Sequence, residues 1–175
     1  MASASVDLSG AENPASRLYW GPRLWRVFHL LAEISDRRDM YMLWTSLLRI
    51  TAPVVPCDVC RNHIASYIRT HAFMRVVRPH LITGEEVRLH ARYDLLDFHN
   101  NVNERLGKPI LPREQLAILY WGKTRSETIS EINRLLDEIM LAWTPLIHRS
   151  INGAHLTTWK KHINLMLALA AGGPN

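Results

Sequence analysis

Cysteine is scarce: 175 residues carry only two, Cys57 and Cys60. A chain with one pair is not a disulfide-stapled secreted domain. No apolar run approaches the ~18–20 residues that span a bilayer; the longest candidate, residues 165–171, falls far short. Residues 1–14 lack the apolar centre of a signal peptide, and Gly172-Gly173-Pro174-Asn175 carries no lipidation or retention signal. The expectation is a soluble intracellular protein that makes no use of a membrane. The formal net charge is +5, yet there is no Lys/Arg run, and segments such as Asp36-Arg37-Arg38-Asp39 mix the signs. Dispersed charge of this kind is a solvated surface, so nucleic acid is not an expected partner, whereas an acidic protein is compatible. Sustained two-residue alternation, a strand-flanked hairpin turn and βαβ punctuation are all missing, which excludes a sheet-based fold. There is no internal repeat and no low-complexity tract.

What is present is helical. With 47% hydrophobic residues the chain can bury a full core. From Arg17, the residues Leu24, Val27, Phe28, Leu31, Ala32 and Ile34 recur at three- and four-residue spacing. The segment 38–51 turns Met40, Leu43, Trp44, Leu47 and Leu48 inward, and Pro53 ends it. A third helix is expected from the cysteine pair to about His71, followed by a connector at 73–82 broken by Pro79. Thr83-Gly84-Glu85-Glu86 reads as a capping box opening a long helix to Leu106, with Gly107 at its C′ position. Pro112 starts a short fifth helix that Gly122 stops. Thr124-Arg125-Ser126-Glu127 is a second capping box, leading into a stripe of Ile129, Ile132, Leu135, Leu136, Ile139, Met140 and Trp143. Thr144-Pro145 breaks that helix, and a last one is expected over 158–170. The predicted fold is all-α: a four-helix bundle with a short fifth helix and a C-terminal helical extension.

Three groups of residues carry chemistry. Cys57-x-x-Cys60 follows Pro56, a natural helix-start residue, so both sulfurs are expected in a first helical turn, where the dipole and free N–H groups stabilise a thiolate. Gly21, Trp25 and His29, at steps of four, align along one stripe of the first helix. That pattern reads either as close core packing or as the wall of a site. His99-Asn100-Asn101-Val102-Asn103 places three asparagines inside a helix that gains nothing from them locally, because their side chains compete for backbone hydrogen bonds. Either this is a polar helix surface or it grips something flat and polar, with Lys108 beyond the helix end placed to meet a phosphate.

Together, Trp20-Gly21-Pro22-x-x-Trp25-x-x-x-His29, Cys57-x-x-Cys60 and His99-Asn100-x-Val102-Asn103-x-x-Leu106-Gly107-Lys108-Pro109 resemble, in order and spacing, the Erv/ALR family of FAD-linked sulfhydryl oxidases. Cys60-Arg61-Asn62-His63 and Phe98-His99-Asn100-Asn101 look most like members encoded by large double-stranded DNA viruses. The resemblance covers about residues 17–121 and implies FAD held at the mouth of a helical bundle. It implies Cys60 next to the flavin and Cys57 facing the substrate as the catalytic pair. It implies Gly21, Trp25 and His29 along the isoalloxazine side, and Tyr67 and His63 lining the pocket. His99, Asn100, Val102 and Asn103 would surround the adenosine and ring edges, with Lys108 at the pyrophosphate and Tyr120 against the adenine. Electrons would pass from a protein dithiol, or a thioredoxin-like relay protein, to molecular oxygen, giving hydrogen peroxide. The resemblance implies a homodimer and, for a viral member, the host cytoplasm or virion.

Lys108-Pro109 is followed by Ile110-Leu111-Pro112-Arg113, without the structural cysteine many cellular members carry, and there is no shuttle pair. The implied organisation is a tail at 1–16, an oxidase domain at 17–122 and a helical extension at 123–175 that either extends the core or forms an oligomer surface. A different reading makes Cys57, Cys60 and His63, completed by His29 or His99, a zinc site in a non-catalytic helical interaction module. A plain helical scaffold is the third.

Overall fold

The computed structural model describes residues 13–71 and 83–172. Most of the predicted N-terminal tail and the connector at 73–82 lie outside the described residues. Among the described residues there are seven α-helices and no strand: α1 (Arg17–Glu33), α2 (Arg38–Thr51), α3 (Asp58–Thr70), α4 (Gly84–Arg105), α5 (Arg113–Tyr120), α6 (Arg125–Trp143) and α7 (Gly153–Ala171). None is long and apolar enough to cross a membrane.

The helix starts follow their local chemistry. Thr83 and Thr124 each cap the backbone N–H three residues on, and Glu86 and Glu127 reach back to complete the box. Gly107 and Gly122 adopt φ of 65° and 84°, the left-handed conformation that ends a helix and costs a glycine nothing. One boundary differs from expectation by several residues. The last helix begins at Gly153 rather than 158, because Asn152 Oδ1 accepts hydrogen bonds from the N–H groups of Ala154 (2.9 Å) and His155 (3.2 Å). Asn152-Gly153, which looks like a turn in sequence, is an N-cap.

α1 runs through the middle of the molecule, with Val27, Leu30, Leu31 and Ala32 wholly buried. It packs on α4 and on α6, while α2 packs on α4 and α7. The stripe of α6 is thus spent on α1: Ile132, Ile139, Ala142 and Trp143 are fully buried, as are Trp159 and Ile163 of α7. Trp143 meets Trp20 edge-on at 5.7 Å and Trp159 in a tilted contact at 5.8 Å. The Trp159 indole N–H donates to Thr51 Oγ1 at 2.9 Å, which joins α7 to the end of α2. Ion pairs stitch α1 to α6: Arg23 with Glu138 at 2.6 Å, and Arg26 with Glu131. These are half-exposed and each contributes little; the aromatic core holds the segment.

α4 carries the third sequence motif, and two buried contacts fix its roll. Arg92 donates to both carboxylate oxygens of Glu33, at 2.8 and 2.5 Å. Tyr41 donates its hydroxyl hydrogen to Asp94 at 2.7 Å. With its first half locked to α1 and α2, the second half of α4 is left facing α1 and α3.

Candidate active site

The cysteine pair sits where the short 3-10 turn Ala52–Val54 hands over to α3. Cys57 is the N-cap, with extended backbone (φ −152°), and only Cys60 lies in the first turn. Pro56 therefore stands one residue outside the cap instead of opening the helix. The Cys57 N–H turns back to Val55 O at 2.8 Å, and the Cys60 N–H donates to Cys57 Sγ at 3.2 Å. The two sulfurs are joined in a disulfide, with Cα atoms 5.1 Å apart. A sulfur that accepts a first-turn N–H is one whose anion the helix start favours. Both cysteines are half-buried, whereas Val59 between them is 60% exposed, so a protein partner can reach the pair.

Behind Cys60 lies a cavity of about 310 Å³. Its wall brings together Gly21 and Trp25 from α1, Cys60 and His63 from α3, and His99, Val102 and Asn103 from α4, with Lys108 and Tyr120 completing it. The apolar lining includes Leu24, Phe28, Val55, Ile64 and Phe98. Trp25 stacks on the His99 ring at 4.1 Å, nearly parallel at 6°, and meets Phe98 edge-on at 5.2 Å.

Four residues named from the sequence do not line this cavity. Cys57 is on the other side of the disulfide. His29 is buried behind the wall; its Nε2 shares a hydrogen bond with His99 Nδ1 at 3.1 Å, and its ring stacks on Tyr120 at 4.5 Å. Tyr67 backs the wall, stacked on Phe98 at 4.4 Å. Asn100 turns away and bridges Leu111: its Nδ2 donates to Leu111 O and its Oδ1 accepts from Leu111 N, both at 2.9 Å. The three asparagines thus divide. Asn100 pins the loop after α4, Asn101 Oδ1 pairs with His63 Nε2 at 2.9 Å, and Asn103 alone of the three lines the cavity. Asn103 O also accepts the N–H of Lys108 at 2.8 Å, which closes the turn that presents that lysine.

Among the lining residues that the sequence reading did not name for the site are Arg17, Leu18 and Arg105, beside the apolar ones. For Arg17 a signal existed: it lies one turn before Gly21, on the same stripe as Trp25 and His29. Arg105 sits in the last turn of α4, where nothing in its spacing separates it from an ordinary surface cation.

Burial, with His99 adding to it, lowers the His29 pKa to about 3. Burial, with Lys108 adding to it, lowers that of His99 to about 4. Burial also holds His63 below its ordinary value, helped by Arg105 and opposed by its bond to Asn101. Tyr120 is raised by burial. The inner wall is therefore neutral near pH 7, and the cationic groups are Arg17, Arg105 and Lys108. A flat aromatic slot with neutral imidazoles, bordered by guanidinium and ammonium groups, suits a planar heteroaromatic ring system carrying phosphates.

The depressed imidazoles carry a stability consequence. In the unfolded chain both titrate near ~6.5, so that chain binds more protons than the folded one between that pH and the folded values. Their contribution is complete above pH ~6.5 and is lost as the pH falls toward that of His99. Urea unfolding is expected to show a drop of about 2 kcal/mol per imidazole between about pH 7 and about pH 5, smaller in His99→Asn. A flat profile over that window would mean the rings are not held neutral.

Among the described residues, no three His, Cys, Asp or Glu side chains converge on a point that could hold a metal ion. The zinc reading loses its proposed ligands: the two sulfurs are bonded to each other, and His63 to Asn101.

An all-α bundle with a disulfide at a helix start, backed by an aromatic cavity, defines the class of a thiol–disulfide redox protein. Over residues 22–122 the chain matches the Erv1 / Alr family, and it belongs to that family. It is 31% identical over 105 residues to the putative FAD-linked sulfhydryl oxidase 347L of Invertebrate iridescent virus 6, covering 58% of this chain and 91% of that one. It is 31% identical over 137 residues to the putative FAD-linked sulfhydryl oxidase 088R of Frog virus 3 (isolate Goorha), covering 74% and 85%. With the FAD-linked sulfhydryl oxidase of African swine fever virus (isolate Pig/Kenya/KEN-50/1950) it shares 30% over 107 residues, covering 59% and 81%. No solved structure matches the chain.

Proposed function

We infer that the chain is a FAD-dependent sulfhydryl oxidase that makes disulfide bonds in protein substrates. The observation that carries this reading is the two-sided disulfide: Cys60 stands in the wall of the aromatic cavity and Cys57 does not. A substrate thiolate attacks Cys57 Sγ, the Cys57–Cys60 bond breaks, and Cys60 leaves as a thiolate. The second substrate thiol then attacks the mixed disulfide, so that the substrate is oxidised and Cys57 released reduced. The helix start holds the charge at this end, through the Cys60 N–H that points at Cys57 Sγ. FAD, when bound, supplies the two-electron oxidation that re-forms the disulfide and delivers the electrons to oxygen as hydrogen peroxide.

The residues present fit that cofactor. Trp25, His99 and Tyr120 offer flat faces, Gly21 leaves room along the wall, and Val102 and the backing rings of His29 and Tyr67 keep the inner side apolar. Asn103 and His63 would supply polar edges, and Lys108, with Arg17 and Arg105, would meet the pyrophosphate. Asn100 supports this arrangement by holding the loop that presents Lys108.

With two cysteines in the sequence, electrons enter the pair directly from a protein dithiol or from a thioredoxin-like relay protein. A homodimer belongs to the same reading. The exposed apolar side chains Ile110, Ile118 and Trp121 flanking and within α5 offer it a surface, since α6 and α7 occupy faces of α1 and α2. The viral relatives support the host cytoplasm or the virion as the place of action.

Purified protein is expected to be yellow, to release a flavin on denaturation and to consume oxygen when given a dithiol. A colourless protein that binds no added FAD and oxidises no thiol would overturn the reading.

A further inference from the structure

We propose that Arg61 is the positioning residue of the redox pair, and that it works by strapping the start of α3 to the turn at 147–151, beyond the family-matched residues 22–122. The proposal rests on the oxidase reading above and adds to it a role for the C-terminal segment.

Each nitrogen of the Arg61 guanidinium has a partner. Nε donates to Val55 O at 2.7 Å, Nη2 donates to Ser150 O, and Nη1 pairs with Asp58 Oδ1 at 3.1 Å. Its backbone N–H is also engaged, donating to Cys57 O at 2.9 Å. The Asp58 side chain is 87% exposed, so that pair adds little. The two carbonyls are different. Val55 is buried to 1% exposure just ahead of the pair, and Ser150 lies 89 residues away in sequence. The acceptor on the far side is anchored. Ser150 and Ile151 both donate their N–H groups to Leu146 O, at 3.0 and 3.1 Å, and His148 N–H donates to Ile151 O at 3.0 Å. Ile151 is buried beside it, at 2% exposure.

A planar fork that reaches two fixed carbonyls in different directions sets position as well as supplying charge; an ammonium is a point and cannot reproduce it. Val55 and Cys60 both line the cavity. Holding the Val55 carbonyl and the first turn of α3 against an anchored turn therefore sets how far the Cys60 sulfur projects toward the cavity. The outward sulfur, Cys57, needs no such registration to meet a flexible substrate. Loosening the strap should therefore slow electron passage from Cys60 and leave thiol entry alone.

The test uses the full chain. In FAD-loaded Arg61→Ala, kcat with dithiothreitol is expected to fall roughly tenfold to hundredfold, as for a misplaced reacting group, with KM falling alongside it and kcat/KM held within about twofold. Amide hydrogen exchange, read without dithiothreitol and whether or not FAD is bound, should quicken by at least about tenfold in peptides covering 55–60 and 147–151 together. Arg61→Lys, which keeps the charge, should restore less than half of the lost kcat. An unchanged kcat in Arg61→Ala, exchange that stays slow at 147–151, or full rescue by lysine would each overturn the strap. Should Arg61→Ala fail to fold, the lysine variant decides by the same readouts. A wild-type protein that holds no flavin and oxidises no thiol would defeat the oxidase reading, and the exchange result would still report on the strap.

Discussion

Cys60→Ser and Cys57→Ser are each expected to lower oxygen consumption with a dithiol by at least about a thousandfold, because the two sulfurs act as one unit and neither can turn over alone. The two variants should then part company. In the FAD-loaded protein, the lone thiol of Cys60→Ser is Cys57, on the side the substrate meets. The lone thiol of Cys57→Ser is Cys60, in the cavity wall and shielded by whatever fills it. Ellman's reagent should therefore react with Cys60→Ser at least about tenfold faster than with Cys57→Ser. Equal rates, or the reverse order, would mean that substrates enter through Cys60 and that the direction of electron flow assigned here is wrong.

Trp143→Ala is expected to have the largest effect on stability. The indole is fully buried between Trp20 and Trp159 and ties α6 to both α1 and α7. Deleting a buried aromatic side chain costs roughly 3–5 kcal/mol through lost transfer energy and the cavity left behind. At about 2–4 °C per kcal/mol for a chain of this size, Tm should fall by roughly 6–20 °C. Because Trp20 also lines the cofactor cavity, flavin fluorescence should appear at or before the unfolding midpoint in the variant. A Tm shift under about 3 °C would show that the last two helices pack only loosely on α1.

The sequence showed the residues of the site more clearly than their duties. The stripe of Gly21, Trp25 and His29 was visible as a period, yet His29 ends behind the wall, bonded to His99. Spacing gives the face of a helix a residue occupies, and depth along that face depends on the helix packed against it. The asparagines make the same point. Their cost within a helix left two readings, a polar surface or a grip on something flat and polar, but Asn100 found Leu111 and Asn101 found His63, leaving Asn103 for the cavity. The early start of α7 escaped because Asn-Gly serves equally as a turn or a cap, and only the backbone conformation separates the two.

By itself the sequence determined what is local: the helices with their capping boxes and glycine stops, the absence of sheet among the described residues, and the Cys57–Cys60 pair at a helix start. Each depends on side chains within a turn or so of one another, whose geometry is set by the backbone itself. Its ordered motifs also carried the family resemblance. Tertiary structure decided the rest. It buried the apolar stripe of α6 against α1 instead of leaving it as an open surface, put Cys60 and not Cys57 on the cavity, and brought the Ser150 carbonyl to Arg61. Those contacts join residues tens of positions apart, where the burial of one face selects a partner that no local pattern names.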